Sequence, residues 1–332
     1  MEVCILTEGG YDIGFGHVVR CMSLYQAFEE KGITPEFVVY GDDTIKEFLE
    51  GKKYSISEWI YGNQKILSIL EKKDIVIIDS ILADCEIINR IATVVKLPVY
   101  LDDWKKIKYT KGIIVDWTIF AEENNLNKGG KVVRLLGNKF VALRKEFWHT
   151  SEKHVKEKVD SIMVMFGGGD VNNMTPKVLG ALKDNYPHLH KKIIIGKAFQ
   201  NIQDIKKLAD DKIDLIYYPD ANKIIEIMLD SDVAISSGGQ TLYELARIGV
   251  PTIAVAVVDN QMEDIRGWHK TGFIEYAGWW EEKEVIEKIL FYLSKLMDYD
   301  SRLEKSKIGK SFVDGKGAIR IVEEVIRIYN QN

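Results

Sequence analysis

The sequence predicts an α/β protein of two domains, each built on a parallel sheet with helices on both faces. The chain has 332 residues, which exceeds the roughly 250–300 residues at which single hydrophobic cores stop growing. Short apolar runs alternate with helical stretches in both halves. Continuous β-branched runs such as Ile75–Ile78 are typical of strands buried on both faces, as in parallel sheets. We therefore expect right-handed strand–helix–strand units.

Composition argues against several classes of protein. Hydrophobic residues make up 46% and charged residues 29% of the chain, which is typical of a soluble globular protein. The net charge is −5 and no basic block stands out, so we expect no nucleic-acid partner. No apolar run approaches the ~20 residues that cross a bilayer, and the first residues show no signal-peptide pattern. We expect no membrane partner.

The cysteines and histidines predict neither disulfides nor a metal site. Cys4, Cys21 and Cys85 show no CxxC spacing and fit free thiols in a reducing cytoplasm. His188 and His190 lie in a polar stretch without a carboxylate cluster. We expect a cytoplasmic protein with no metal and no cofactor, whose oligomeric state the sequence leaves open.

The first domain is assigned to residues 1–150. Its predicted strands are Val3–Leu6, Glu36–Val39, Ile75–Ile78, Val99–Leu101, Ile113–Val115 and Val132–Leu135. Its predicted helices are His17–Lys31, Thr44–Glu50, Gln64–Glu71 and Asp84–Val95. The charged and aromatic stretch from Phe140 to Lys158 breaks this alternation, and we interpret it as the connection between domains.

The second domain, residues 151–332, repeats the pattern. Its predicted strands are Ser161–Phe166, Lys192–Ile195, Ile213–Tyr217, Val233–Ser236, Thr252–Val255 and Phe273–Glu275. Its predicted helices are Thr175–Asn185, Ile202–Ala209, Ala221–Leu229, Gln240–Ile248, Gln261–Thr271, Glu281–Met297 and Ala318–Tyr329. Two such domains facing each other would form a cleft, and ligand sites favour clefts between domains.

The first candidate site is the turn from the first strand into the first helix, Ile13-Gly14-Phe15-Gly16-His17. Gly14 and Gly16 allow a tight turn and a close approach of ligand to backbone. Helical spacing places His17 and Arg20 on one side of the helix. An imidazole can take a proton from water at neutral pH. His17 is thus a candidate catalytic base; the alternative is a half-buried histidine in an ordinary turn.

The second candidate is the glycine turn before Gln240–Ile248, where a strand again leads into a helix. Free backbone N–H groups at a helix N-terminus suit a diphosphate, and Glu244 could accept bonds from ribose hydroxyls. The alternative is a capping box, Thr241-x-x-Glu244, that closes on the helix itself. The candidate binding residues here are Ser237, Gly238, Gly239, Gln240, Thr241 and Glu244.

Other polar residues follow predicted strands. Gly168, Gly169 and Asp170 form a second glycine turn, in which Asp170 could line the site or cap the following helix. Asn260 and Gln261 carry amides that can hold a phosphate or sugar oxygen. Two carboxylates at strand ends, Asp79 and Asp103, could orient a histidine or bind sugar hydroxyls, or cap the next element.

Five segments in this order resemble a known family. They are Ile13–His17 with Arg20, Leu101–Asp103, Leu143–Phe147 with Arg144, Gly168–Asp170, and Asp259–Gln261. Together they look like the UDP-2,4-diacetamido-2,4,6-trideoxy-β-L-altropyranose hydrolases of pseudaminic acid biosynthesis. Ser237–Glu244 is similar to the nucleotide-binding segment of the wider GT-B glycosyltransferase superfamily, including the lipid II N-acetylglucosaminyltransferases.

The resemblance implies a GT-B fold, two Rossmann-like domains facing each other across a cleft, with UDP held mainly by the C-terminal one. It implies metal-free hydrolysis at the anomeric carbon with inversion. His17 would activate water, Glu244 would hold the ribose, the backbone at Gly239 to Thr241 would meet the diphosphate, and Asn260 and Gln261 would line the sugar or phosphate side.

One departure concerns the sugar. After the strand-ending Asp79 the family commonly has His-Tyr, with the tyrosine near the sugar, whereas this chain has Ser80 and Ile81. Two other functions remain open at this point: a GT-B glycosyltransferase that uses a UDP-sugar donor, and a non-catalytic nucleotide-sugar-binding protein.

Overall fold

The computed structural model of the protein describes residues 1–62, 64–103, 108–124 and 132–331. It divides into two compact units, Met1–Lys145 with Gly315–Asn332, and Glu146–Asp314. The sequence placed the boundary at 150/151 and gave the whole C-terminus to the second domain. The structure corrects both, because the last helix returns to the first unit.

The first unit is a seven-stranded sheet in the order β3-β2-β1-β4-β5-β6-β7, in which every neighbouring pair is parallel. The strands are β1 Val3–Gly9, β2 Glu36–Gly41, β3 Tyr54–Ile56, β4 Ile75–Asp79, β5 Leu97–Leu101, β6 Gly112–Asp116 and β7 Val132–Leu136. The helices are α1 Gly16–Glu29, α2 Gln64–Leu70, α3 Cys85–Val94 and α4 Ala121–Asn124.

The second unit is a six-stranded parallel sheet in the order β10-β9-β8-β11-β12-β13. The strands are β8 Ser161–Met165, β9 His190–Ile195, β10 Ile213–Tyr217, β11 Val233–Ser237, β12 Thr252–Ala256 and β13 Ile274–Trp279. The helices are α5 Met174–Asn185, α6 Ile202–Leu208, α7 Ala221–Asp230, α8 Gln240–Ile248, α9 Met262–Thr271, α10 Val285–Lys295 and α11 Tyr299–Phe312.

The C-terminal helix α12, Gly317–Gln331, packs against α1 of the first unit. Lys31 and Glu323 form an ion pair at 2.6 Å, and the Tyr329 hydroxyl donates to Asp74 at 2.7 Å. An amphipathic helix docks where its apolar stripe is covered. Proximity along the chain does not decide which unit covers it, so the sequence order misassigned α12.

The cores confirm the prediction of parallel sheets. Every residue of β1, β4, β5 and β6 is buried in the first unit, and the same holds for β11 and β12 in the second. Apolar side chains on both faces of a strand must be covered by helices, which the crossover connections supply. The prediction of two parallel-sheet α/β units is confirmed.

The sequence prediction differs from the structure at several elements, among them the four-residue helix α4, which was not predicted. The predicted helix Thr44–Glu50 is a 3-10 turn at Asp43–Ile45 followed by turns, with Asp42 accepting from the Thr44 N–H at 2.8 Å. The short edge strand β3 and the helix α11 were not predicted. The first has only three residues and the second carries a weak apolar stripe, so periodicity gave no signal for either. Within the described residues, no helix is long and apolar enough to span a bilayer.

Candidate functional site

The candidate site of the first unit lies at the carboxyl ends of β1 and β4. These two strands are neighbours, but the chain leaves β1 toward β2 on one side and β4 toward β5 on the other. Open α/β sheets bind ligands at this reversal of strand order. Glu8 is next to last in β1, Asp79 is the last residue of β4, and α1 begins after the turn that follows β1. The topology therefore brings together residues about seventy positions apart.

His17 is held by Asp79. Its Nδ1 lies 2.8 Å from Asp79 Oδ1, and its side chain is 14% exposed while that of Asp79 is fully buried. A carboxylate only accepts hydrogen bonds, so Nδ1 carries a hydrogen, and in the neutral ring Nε2 has the lone pair. The arrangement leaves Nε2 as the nitrogen that can accept a proton.

Arg20 keeps Asp79 ionised. It donates from Nε to Asp79 Oδ2 at 2.6 Å and from Nη2 to Oδ1 at 2.5 Å, and from Nη1 to Asp103 Oδ2 at 2.6 Å. Burial by itself would raise the pKa of Asp79, but the charge of Arg20 and the hydrogen bonds from Arg20 and His17 hold it well below its ordinary value. The buried Cys21 thiol also faces this carboxylate, with Sγ 3.4 Å from Oδ2. Asp79 is therefore a fixed anion that orients His17.

Glu8 lies on the other side of the imidazole, with Oε1 3.9 Å from His17 Nε2. It is 1% exposed. Its carboxylate accepts the Ile81 N–H at 2.8 Å, the Leu82 N–H at 3.3 Å and the Ser80 hydroxyl. Sequence reasoning missed Glu8. A signal was present, because Glu8 follows the apolar run Val3–Leu6 closely, and the ends of such strands are where α/β proteins bind ligands.

The turn between β1 and α1 leaves open space beside two glycines. Gly10 and Gly14 exchange two backbone bonds, Gly10 N–H to Gly14 O at 3.1 Å and Gly14 N–H to Gly10 O at 2.8 Å. Gly14 has φ +85°, and a Cβ at Gly14 or Gly16 would meet nothing within 4 Å. At Gly9, by contrast, a Cβ would lie 2.6 Å from Val18. The backbone at Gly14 and Gly16 is therefore approachable.

A pocket adjoins Arg20 in the first unit. Arg20 and Asp103 contribute charged side chains to its lining, and Ile81 and Tyr100 contribute apolar surface. Tyr109 also lines it and stacks on Tyr100, with ring centroids 4.0 Å apart. Ile81, at the position where the resembled hydrolases have tyrosine, is thus part of a pocket that combines aromatic, apolar and acidic surface.

In the second unit the corresponding turn, after β11, presents backbone. Gly239 has φ +91° and is the N-cap of α8, with no side-chain cap bond. A Cβ at Gly238 would lie 2.7 Å from Ile265. Helix α8 begins at Gln240, so Thr241 and Glu244 are its second and fifth residues and do not occupy the N-cap and N3 positions. The capping-box alternative is therefore not supported, because the N-cap residue is Gly239, which forms no side-chain cap bond.

The side chain of Gln261 stabilises this turn by hydrogen bonds. Its side-chain amide donates to Gly238 O at 3.2 Å and accepts from the Val257 N–H at 3.1 Å. Both ends of the amide are thereby engaged within the unit. Asn260, by contrast, is exposed. Of the two predicted amides, Gln261 shapes the glycine turn and Asn260 is the one that faces solvent.

The glycine turn after β8 lies beside the one after β11, since a Cβ at Gly167 would be 4.0 Å from the Ser237 hydroxyl. Asp170 caps α5: it accepts from the Met174 N–H at 2.8 Å, the Thr175 N–H at 2.9 Å and the Asn201 amide at 2.8 Å. Burial raises the pKa of Asp170. The carboxylate of Asp170 therefore caps the following helix. Of the two roles that the sequence left open for Asp170, the structure supports the helix cap and not the lining of the site.

The structure thus groups the predicted residues within each unit. In the first it joins His17, Arg20, Asp79 and Asp103, and in the second it joins Ser237, Gly238, Gly239 and Gln261 with the turn at Gly168 and Gly169. Arg144 is half-buried near the end of the first unit's main segment, and its role stays a prediction.

Comparisons with known proteins address the same two units. The family model described as the glycosyltransferase family 28 C-terminal domain matches residues 162–314, which lie in the second unit. The chain is 25% identical over 348 residues to the spore coat polysaccharide biosynthesis protein SpsG of Bacillus subtilis, covering 100% of this chain and 99% of that protein.

A second relative is a Helicobacter pylori protein named pseudaminic acid cytidylyltransferase and UDP-2,4-diacetamido-2,4,6-trideoxy-beta-L-altropyranose hydrolase. It is 22% identical over 280 residues, which cover 83% of this chain and 48% of that protein. The chain therefore spans about half of that relative.

Among solved structures, the fold is similar to that of S. aureus MnaA in complex with UDP. The TM-score is 0.67 at 16% identity, and the match covers 100% of this chain and 98% of that one. At this identity the likeness concerns the fold. The chain has a GT-B-type fold of two Rossmann-like α/β units, and its second unit is similar to the glycosyltransferase family 28 C-terminal domain.

Proposed function

We propose that the protein is a metal-free hydrolase of a UDP-sugar, in which water attacks the anomeric carbon with inversion. The observation that carries this proposal is His17, whose Nδ1 is fixed 2.8 Å from a buried, ionised aspartate and whose Nε2 is left as an acceptor. A base placed in this way contributes about 10²–10⁴-fold to a rate.

The step balances as a single displacement. The oxygen of water forms a bond to C1 of the sugar, and the bond between C1 and the diphosphate oxygen breaks. UDP leaves with the bonding electron pair, and Nε2 of His17 takes the proton of the water. We assign the sugar to two features of the first unit. They are the open backbone at Gly14 and Gly16 and the pocket beside Arg20 and Asp103.

The second unit supplies the nucleotide side. The backbone from Gly239 to Thr241, at the N-terminus of α8, suits a diphosphate, because a helix N-terminus carries partial positive charge. Such preorganised donors also stabilise the charge on a departing UDP. Glu244 is assigned the ribose, and the exposed Asn260 the sugar or phosphate side.

The sugar is assigned to the diacetamido-trideoxyhexose class, as an intermediate of nonulosonic acid biosynthesis. The support is the family resemblance of the five motifs, together with a relative whose name includes hydrolysis of such a UDP-sugar. Ile81 in place of a tyrosine bears on which member of the class is bound.

A glycosyltransferase on the same fold is the second candidate. The match of the second unit to a glycosyltransferase family favours it. In that reaction Nε2 of His17 would take a proton from a hydroxyl of an acceptor sugar. The two candidates share the nucleotide-sugar donor and differ in the nucleophile.

The test is incubation with a panel of UDP-diacetamido-trideoxyhexoses and UDP-N-acetylhexosamines in ¹⁸O-labelled water, with no acceptor. We expect free UDP and, at early times, the inverted anomer by NMR, with ¹⁸O in the sugar and not in UDP. Release of UDP only when an acceptor is added would replace the hydrolase by the transferase. If calorimetry shows UDP binding and no UDP-sugar is turned over, the protein would instead be a non-catalytic nucleotide-sugar-binding protein.

A further inference from the structure

Glu8 lies beside the reacting nitrogen but takes no part in the proposed displacement. Its Oε1 is 3.9 Å from His17 Nε2, which is too long for a hydrogen bond and short for two charges. The carboxylate is 1% exposed and the imidazole side chain 14% exposed. Solvent therefore screens this pair far less than a surface pair.

Two carboxylates flank His17, and only one of them, that of Asp79, is paired with a described cation. Asp79 receives two hydrogen bonds from the Arg20 guanidinium, so a cation already offsets its charge. Among the described residues, Glu8 receives only neutral donors, namely two backbone N–H groups and the Ser80 hydroxyl. These donors fix the position of the Glu8 carboxylate but bring no positive charge.

We infer that Glu8 is the counter-ion of the imidazolium that forms when Nε2 of His17 accepts a proton. Asp79 then orients the ring through Nδ1, and Glu8 stabilises the positive charge that forms when Nε2 is protonated. Glu8 is a positioning residue in this role, since it acts through His17. The inference deepens the proposed function and rests on it for the identity of the proton donor.

Several other polar and charged groups lie near the ring or near Glu8 among the described residues. Arg20 and Asp79 face it from α1 and β4, and Asp103 acts on it only through Arg20, to which it is bonded at 2.6 Å. Tyr40 is the register partner of Glu8 on β2, and the Cys21 thiol faces Asp79. A change made at Glu8 alone leaves each of these groups in place.

The substitution Glu8→Gln is nearly isosteric and keeps the local bonds. The amide oxygen can accept the Ile81 N–H that Oε1 accepts now, and the amide NH₂ can donate to the Ser80 oxygen, which already accepts the Ala83 N–H at 2.8 Å. The variant therefore removes one negative charge and little else. Ser80→Ala is the matched control, because it removes one bond to the Glu8 carboxylate and leaves the charge.

The decisive measurement is the NMR titration of His17 in protein with ¹³C-labelled histidine. The chain has six histidines, and the His17 resonance is assigned by its loss in His17→Gln. We expect the titration midpoint of His17 to fall by about one to three pH units in Glu8→Gln. The fall should persist in 1 M salt, where the Debye length is about 3 Å. Ser80→Ala should move it by a small fraction of that.

Activity supplies a second signature. The acid limb of kcat/KM should move to lower pH in Glu8→Gln by the same amount as the NMR midpoint, while the plateau falls because the base is weaker. A merely structural defect would lower the plateau and leave the limb in place. Glu8→Asp keeps the negative charge but moves it away from Nε2. We therefore expect a His17 titration midpoint between those of wild type and Glu8→Gln. If Glu8→Gln does not fold, the midpoint in Glu8→Asp tests the inference.

The inference is overturned if the His17 midpoint is the same in wild type, Glu8→Gln and Glu8→Asp, or if the shift disappears in high salt. The NMR readout needs no substrate. Absence of UDP-sugar hydrolysis with a shifted midpoint would therefore contradict the proposed function and leave the ion pair standing, whereas hydrolysis with an unshifted midpoint would contradict the ion pair alone.

Discussion

The two units share one strand order around their reversal points but place different chemistry there. In the first unit the strands that meet are β1 and β4, and their carboxyl ends carry Glu8 and Asp79 with His17 at the start of α1. In the second unit the equivalent strands are β8 and β11, and glycines follow each of them. One reversal point presents ionisable side chains, and the other presents backbone.

The difference follows from what each kind of surface can do. Side chains that change protonation state can move a proton, and here a buried aspartate and an arginine fix the imidazole that would do so. Glycines bring main-chain N–H groups within reach of a ligand and leave the helix dipole uncovered, which suits a diphosphate. In the proposed function, the same topology would serve acid–base chemistry in one unit and anion binding in the other.

The largest effect should come from His17→Ala. We expect turnover of the UDP-sugar to fall about 10²–10⁴-fold, while UDP affinity measured by calorimetry changes less than twofold, because the nucleotide side is assigned to the second unit. The exposed His188 offers a control, and His188→Ala should leave both quantities unchanged. Near-normal turnover in His17→Ala would remove His17 from the mechanism.

Asp79→Asn should destabilise the first unit. Removing one partner of a buried ion pair costs about 3–5 kcal/mol, and Arg20 would keep only Asp103. The matched change is Asp103→Asn, whose side chain is 37% exposed, for which we expect about 1 kcal/mol or less. Hydrogen exchange of the β1 and β4 amides measures both. Equal losses of unfolding free energy in Asp79→Asn and Asp103→Asn would contradict the assignment of Asp79 as the buried ion-pair partner of Arg20.

Acid should affect the two units in opposite directions through their buried aspartates. The pKa of Asp79 is lowered in the folded state, so its contribution to stability is present above its unfolded pKa of about 4 and is lost as pH falls. The pKa of Asp170 is raised by burial, so its contribution is present below about pH 4 and is lost as pH rises. As the pH falls through about 4, we expect amide exchange to become faster in β4 and slower in α5 of wild type, relative to Asp79→Asn and Asp170→Asn respectively.

Gly239→Ala should weaken the second unit's turn. At φ +91° an L-residue costs about 1–2 kcal/mol, and the turn that presents the α8 N–H groups would shift. We expect a comparable loss of unfolding free energy and a weaker calorimetric affinity for UDP. A variant that loses stability and binds UDP as tightly as wild type would show that this backbone does not hold the diphosphate.

Gly16→Ala should have the smallest effect on stability. A Cβ at Gly16 meets nothing within 4 Å, so we expect a change within about 0.5 kcal/mol. If the sugar lies against this backbone, KM should nevertheless rise, because the methyl group occupies the space that the ligand needs. An unchanged KM together with unchanged stability would show that the open space beside Gly16 is not part of the sugar side.

Much of the fold could be predicted from local pattern. Apolar runs such as Ile75–Ile78 and glycine-led helix starts such as the one at Gln240 identified strands and helices that the structure confirms. Segments whose burial is slight gave no such pattern. The edge strand β3 is largely exposed, and α11 is mostly polar, so neither had the periodicity that predicts an element.

The candidate site was predicted in its parts and not in its arrangement. His17, Arg20, Asp79 and Asp103 were each singled out at a strand end or helix start, which is where α/β proteins bind ligands. Glu8 was missed because the first strand was predicted to end at Leu6. Asp170 was identified, but only the bonds from Met174 and Thr175 decide that it serves the helix.

The sequence by itself determined the type of each element and which residues lie at its ends, because periodicity and turn chemistry are local properties. The tertiary structure decided which ends are neighbours. Sheet order places Asp79 against His17 and Ser80 against Glu8, and packing returns α12 to the first unit. Those choices minimise exposed apolar surface over the whole chain, and no stretch of a few residues contains that information.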